Sequence, residues 1–271
     1  MVGKALIYIL VAVALVSLFT LSSHVSYHLD LFDPDEQALV YELAPSTDAW
    51  GLFDPETGVV FFGDNTDTQL PIASVTKLFT AYAAFKSDEI ESLVTISWAD
   101  LATEGRAGKL AYGDTYTLHE LLFPLLIESS NDAGKAIETA LNGEYTFRTE
   151  LLIDQLSLSH TEIVDPTGLS AGNVSTVVDL ARFYSHVKSE APHIIDITTL
   201  PLYIGKHTGW VNTGPGIQHG RYRGGKHGFT PEAGNTFIGT FVVGGTEVGI
   251  VLLGSDDLDA DLSDALSYLG R

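Results

Sequence analysis

The sequence predicts an α+β domain: one antiparallel β-sheet built from strands at both ends of the chain, with a helical middle packed against it. Three observations predict it. Short apolar runs joined by turn residues occur near residue 50 and again near residue 245, and between them apolar residues recur at helical spacing.

The elements follow in chain order. After Lys4, the 17 residues from Ala5 to Leu21 hold no charge and are almost wholly aliphatic or aromatic. That length is at the short end for a helix crossing a bilayer, and the single early cation favours a cytoplasmic N-terminus. The alternative is a cleaved export signal, but Ser22-Ser23-His24-Val25 lacks its small-x-small pattern. Residues 1–22 are therefore expected to form a membrane anchor, residues 23–44 a polar tether, and residues 45–271 a folded domain. The expected location is the cell membrane, single-pass, with the domain extracytoplasmic.

Ordered patterning begins near Asp48. Ala49–Phe53 and Val59–Phe62 flank Asp54-Pro55-Glu56-Thr57-Gly58, whose turn chemistry predicts a β-hairpin. Helical faces are predicted in Leu78–Phe85, Leu118–Ile127, Ala136–Leu141, Leu151–Leu158 and Val177–Val187, the last capped by Ser175. Phe237–Val243 and Val248–Leu253 form a second hairpin across Gly244-Gly245-Thr246-Glu247, and residues 258–269 close the chain as a helix.

Composition narrows the function. With 14 Lys and Arg against 35 Asp and Glu, the formal charge of -21 disfavours nucleic-acid partners. Zero cysteines exclude disulfides, thiolate metal sites and cysteine nucleophiles. Any nucleophile must carry oxygen or nitrogen.

Ser74-Val75-Thr76-Lys77 follows Pro71 and opens the first helical stretch. Residues three apart share a helix face, so Lys77 lies beneath the Ser74 hydroxyl and can take its proton once burial and a second cation lower the ammonium pKa. The second element is Ser129-Ser130-Asn131-Asp132, where one helix ends and another begins; it is predicted as a loop. Ser129 could relay a proton to a leaving amine, while Asn131 could donate to a substrate carbonyl and hold Lys77. The bland alternative is an ordinary helix cap. Gly224-Gly225-Lys226-His227-Gly228 is the third element, placed just before the C-terminal strands. Its glycines allow close backbone approach, and Lys226 supplies the second cation and an attraction for a substrate carboxylate. Here the bland alternative is an edge-strand lysine that discourages aggregation.

Each element alone is weak, but they occur in order, 55 and then 97 residues apart. With Pro71-Ile72-Ala73-Ser74, Asp165-Pro166-Thr167-Gly168-Leu169 and Gly225-Lys226-His227-Gly228-Phe229-Thr230-Pro231, the chain resembles the D-alanyl-D-alanine carboxypeptidases of the low-molecular-mass penicillin-binding proteins. The resemblance implies a serine D,D-carboxypeptidase with a transpeptidase-like fold and no cofactor. It acts on D-Ala-D-Ala stem peptides of peptidoglycan, and β-lactams are its covalent inhibitors. Ser74 is then the acylated residue, Lys77 the base and Ser129 a third catalytic residue; Asn131, Lys226, His227, Gly228, Phe229 and Thr230 bind substrate. The oxyanion would be held by the backbone N–H groups of Ser74 and Phe229.

One departure stands out, because His227 occupies the place of the family's threonine. An imidazole N–H donates more strongly when protonated, so carboxylate affinity is expected to rise below about pH 6.5, the ordinary histidine value. Other constellations fit less well. Glu138-Thr139-Ala140-Leu141-Asn142 matches a β-lactamase pattern but sits only seven residues from Asn131. His207, His219 and His227 fit no zinc spacing, and Glu128 with Asp132 does not require glycosidase chemistry. A β-lactamase-like hydrolase and a non-catalytic peptidoglycan-binding protein remain the alternatives.

Overall fold

The computed structural model describes residues 45–269 apart from Arg106. The expected anchor at 1–22 and tether at 23–44 lie outside them. Among the described residues no helix is long and apolar enough to cross a membrane.

Five antiparallel strands form the main sheet. These are β1 (Ala49–Phe53), β2 (Val60–Asp64), β9 (Tyr222–Thr230), β10 (Gly234–Val243) and β11 (Thr246–Ser255). Their order is β2-β1-β11-β10-β9, so the N-terminal hairpin pairs directly with the C-terminal one through β1 and β11. Both hairpins form where the turn residues predicted them. Ala49-Trp50-Gly51-Leu52-Phe53 shows no polar alternation, because helices cover both faces and all five residues are buried. Ala49 and Phe53 enter the core beneath the helical middle, whereas Trp50 and Leu52 pack with Leu262 and Ala265 of the C-terminal helix.

The helical middle holds α1 (Lys77–Phe85), α2 (Leu118–Ile127), α3 (Asn131–Ala140), α4 (Glu144–Leu156), α5 (Val177–Glu190) and α6 (Pro192–Thr199); α7 is Leu258–Leu269. Helix α2 starts at a capping box, with Thr117 Oγ1 accepting from Glu120 N and the Glu120 carboxylate accepting from Thr117 N. Eight of its ten residues are buried, so it is the central rod of the helical layer. Three two-stranded ribbons complete the fold: β3 (Leu70–Pro71) with β6 (Val174–Ser175), β4 (Leu93–Thr95) with β5 (Thr115–Thr117), and β7 (Leu202–Ile204) with β8 (Gly209–Val211).

Three expectations are corrected. Thr176, not Ser175, caps α5 by accepting from Asp179 N, while Ser175 sits in β6 and bonds Thr161. Helix α6 was not predicted, since its Ile-rich face is short and follows α5 after a single residue. The third motif is not a lead-in to the C-terminal strands; it is strand β9 itself, at the edge of the sheet.

Helix α6 lies between α2 and β9, and its contact with α2 includes two histidines. His119 Nε2 and His193 Nε2 are 2.8 Å apart and the ring centroids 5.0 Å apart, with 19° between the planes. That combination places the rings nearly coplanar and head to head, sharing one N–H···N hydrogen bond. Burial, reinforced by His119, holds the His193 pKa below its ordinary value. A lowered histidine pKa means the folded state binds fewer protons, so this contribution to stability is present above about pH 6.5 and is lost as the pH falls. Melting temperature is expected to drop between pH 7 and pH 5, and His193→Gln should flatten part of that drop in thermal scans.

Candidate active site

After β3, the chain turns through Ile72 into a 3-10 turn, Ala73–Thr76, before α1 begins at Lys77. Ala73 has φ +45°, a left-handed conformation that costs a non-glycine residue about 1 kcal/mol or more. Ser74, the second residue of this turn, is half-buried. Lys77 Nζ donates to Ser74 Oγ at 2.7 Å and to the Thr167 carbonyl at 2.6 Å. The predicted pair is therefore in contact, with a 3-10 turn in place of the expected α-helical one.

Lys77 is fully buried. Burial holds its ammonium well below the ordinary lysine pKa, the Lys226 cation adds to that, and the Asp165 carboxylate opposes it. A neutral amine here can accept the proton of Ser74.

The Thr167 carbonyl belongs to a segment whose role sequence reasoning missed. Asp165 is partly buried, which works against its charge, but the Thr167 hydroxyl and the N–H groups of Ser170, Thr167 and Gly168 outweigh this and hold its pKa below the carboxylate range. Its Oδ1 accepts from Thr167 N at 2.7 Å, Thr167 Oγ1 at 2.6 Å and Gly168 N at 3.0 Å. Thr80 Oγ1 on α1 donates to the Pro166 carbonyl at 2.7 Å, which pins the loop to the helix carrying Lys77. Gly168 has φ +86°, and a Cβ there would lie 1.9 Å from the Ala73 carbonyl oxygen. Only glycine lets this loop seat against the Ser74 turn. The sequence signal was the Asp-Pro-Thr-Gly-Leu run, which was matched by resemblance without a role.

Strand β9 forms the opposite wall. A Cβ on Gly228 would lie 2.3 Å from Ser74 N, so the glycine lets β9 run against the Ser74 backbone. Lys226 is buried and donates to the His227 carbonyl at 2.6 Å, and burial brings its pKa down to about 7. Phe229 is exposed at the strand edge. Thr230 Oγ1 accepts from Ala233 N at 3.1 Å and braces the β9–β10 turn.

His227 does not match its expectation. Burial, then the Lys226 and Lys77 cations, push its pKa down to about 3, so the imidazole is neutral across pH 5 to 8. Its ring packs on the loop after β8, where a Cβ on Gly214 would lie 3.1 Å from Nδ1. The titrating cation of this wall is Lys226. A substrate carboxylate favours its charged form, which prevails below about pH 7, so KM is expected to rise above pH 7 and to level off below it. A KM profile from pH 5.5 to 9 checks this, and Lys226→Arg should flatten it.

The second motif is a helix start and not a free loop. Ser129 has φ +58° and remains half-buried, Ser130 caps α3 by accepting from Ala133 N, and Asn131 is the first residue of α3. Asn131 Nδ2 donates to the carbonyls of Glu104 (2.8 Å) and Gly105 (3.4 Å), and Ser130 Oγ to that of Ala107 (2.6 Å). Asn131 thus ties the backbone at Glu104 and Gly105 to the start of α3, and the contact to Lys77 expected of it is made by Thr167 instead. Glu138 lies on α3 with Asn131 and pairs with Lys135. The three histidines weighed for zinc lie apart: His207 by Asp114, His219 by Phe241 and His227 by Gly214.

Known proteins share this fold and much of the length of this chain. A D-alanyl-D-alanine endopeptidase of Pseudomonas aeruginosa is 27% identical over 255 residues, covering 89% of this chain and 81% of that protein. The crystal structure of a D-alanyl-D-alanine carboxypeptidase from Mycobacterium tuberculosis H37Rv superposes with a TM-score of 0.76 at 25% identity, covering 84% of this chain and 91% of that one. Penicillin-binding protein D2 of Listeria monocytogenes, solved in a cefotaxime-bound form, gives a TM-score of 0.74 at 25% identity over 83% of this chain and 97% of its own. The family model described as D-alanyl-D-alanine carboxypeptidase matches residues 37–257, most of the length, and the chain belongs to that family.

Proposed function

We propose that this protein is a serine D,D-carboxypeptidase that removes the terminal D-alanine from D-Ala-D-Ala stem peptides of peptidoglycan through an acyl-enzyme on Ser74. The observation that carries the proposal is the 2.7 Å contact between Ser74 Oγ and a fully buried Lys77 whose pKa is driven down by burial and by Lys226. Neutral Lys77 takes the Ser74 proton as Oγ attacks the scissile carbonyl carbon. The N–H groups of Ser74 and Phe229 meet the oxyanion, and Ser129 relays the proton held by Lys77 to the departing D-alanine amine, which leaves Lys77 neutral again. Water then attacks the acyl carbon as it gives a proton to neutral Lys77, the bond to Ser74 Oγ breaks, and Lys77 returns the proton to Oγ as the shortened peptide leaves. Lys226 attracts the terminal carboxylate, His227 offers a neutral N–H in place of a threonine hydroxyl, Gly228 keeps β9 close, and Asn131, Phe229 and Thr230 shape the cleft. β-Lactams acylate the same serine. The apolar segment at residues 5–21 anchors the domain outside the cell membrane.

Intact-mass spectrometry after penicillin treatment tests this. A persistent adduct in the protein, absent from Ser74→Ala, together with D-alanine release from a soluble stem pentapeptide, is the expected result. Rapid penicillin turnover without an adduct would favour a β-lactamase, and neither adduct nor D-alanine release would leave a binding protein.

A further inference from the structure

On either side of the backbone that Asn131 and Ser130 tie to the start of α3, the chain carries two exposed aromatic rings. Trp98 and Tyr112 stack with centroids 4.6 Å apart and 10° between planes, and they are 67% and 59% exposed. Stacking covers one face of each ring and leaves the outer faces open. The other two tryptophans, Trp50 and Trp210, are buried. The platform is rigid. One Asp100 carboxylate oxygen accepts from Ser97 N and Ser97 Oγ, and the other accepts from Thr139 Oγ1 at 2.9 Å. The 97–114 loop is closed at its base by Gly113 N to the Ile96 carbonyl and Ile96 N to the Asp114 carbonyl. The rings are therefore presented in a fixed pose beside α3.

The spacing suits a second part of the same substrate. Thr139, which anchors the Trp98 turn, is eight residues along α3 from Asn131, about 12 Å along the helix axis. The four residues that remain of a pentapeptide once its terminal D-alanine departs reach about 13 to 14 Å when extended. The acyl side of a stem peptide is thus long enough to span the stretch of α3 from Asn131 to Thr139, where Asp100 of the Trp98 turn is bound. Pyranose rings pack their apolar C–H faces on aromatic planes, and an amidated glycan strand carries little charge for a chain of -21 to repel. An anionic lipid surface is repelled by that same charge.

We infer that Trp98 and Tyr112 form a platform for an N-acetylhexosamine unit of the glycan strand, engaged while the attached stem peptide occupies the Ser74 cleft. The inference rests on the proposed function for its substrate, and it is tested without it. Trp98 is the one exposed tryptophan among the described residues, so its emission reports binding directly. Titration with a peptide-free N-acetylglucosamine tetramer should shift or quench that emission, and Tyr112→Ala should weaken the tetramer about tenfold. With peptide attached to glycan as substrate, Trp98→Ala should raise KM by about tenfold, while KM and kcat for the soluble pentapeptide stay within about twofold. Trp98→Phe should recover part of the loss. No emission change with the tetramer, or an equal loss on both substrates, or no loss on either, overturns the inference. A wild-type protein inert towards the soluble pentapeptide would instead refute the carboxypeptidase reading, and the sugar titration would still decide the platform.

Discussion

Lys77→Met is expected to lower the rate of Ser74 acylation by about 10³-fold while the melting temperature stays at or above that of the wild type. The two halves of this result have one cause. A lysine buried with no carboxylate in hydrogen-bond contact must lose its proton or carry an ammonium out of water, and that cost is what keeps it available as a base. The sign follows from linkage. An unfolded lysine keeps its proton up to about pH 10.4, and the folded pKa lies below that, so the folding cost grows as pH falls from there. Methionine has a similar length and no charge, so it removes this cost, although it leaves the Thr167 carbonyl without its donor. Acylation by a chromogenic β-lactam and a thermal scan at pH 7 measure the two halves. A large loss of melting temperature would show that Lys77 mainly holds the fold together.

The second large effect is structural in origin. Gly168→Ala places a Cβ 1.9 Å from the Ala73 carbonyl oxygen on a residue at φ +86°, and neither backbone can yield without moving the Ser74 turn. A loss of about 3 kcal/mol is expected, which for a domain of this size lowers the melting temperature by about 6 to 12 °C. Acylation should fall as well, because the displaced loop carries the Thr167 carbonyl that positions Lys77. Gly220→Ala is the control: its Cβ would meet nothing within 4 Å, and both readouts should remain unchanged.

What the sequence revealed depended on the kind of signal. The hairpins at Asp54–Gly58 and Gly244–Glu247 were legible because turn residues punctuate strong apolar runs, and α2 because its apolar residues fill nearly every position. Ser74 and Lys77 were legible because a spacing of three has a fixed meaning on any helical turn. Strand β9 escaped because Arg223-Gly224-Gly225-Lys226-His227-Gly228 has no apolar alternation; α6 and the Ser74 turn bury its backbone. Gly225 N bonds Thr198 Oγ1, and Gly224 packs on Ile195, so the strand is read only once α6 is in place. The partner of Lys77 escaped for a different reason. Thr167 contributes a backbone carbonyl, and any residue type carries one. His227 was read with its ordinary pKa because sequence shows a residue's type and not how far it is desolvated or which cations surround it. Ser175 against Thr176 is a one-residue error between two equally good caps.

In the proposed mechanism Lys77 acts as a base because burial and the Lys226 cation lower its pKa. The pH dependence of Ser74 acylation by a β-lactam, compared between the wild type and Lys226→Met, tests it most directly. Removing the Lys226 charge removes one cause of the depression, so the Lys77 pKa must rise and the acid limb of the profile must move to higher pH. A Lys226→Met profile that keeps its acid limb in place, with only its height reduced, would show that the Lys226 charge does not set the Lys77 pKa.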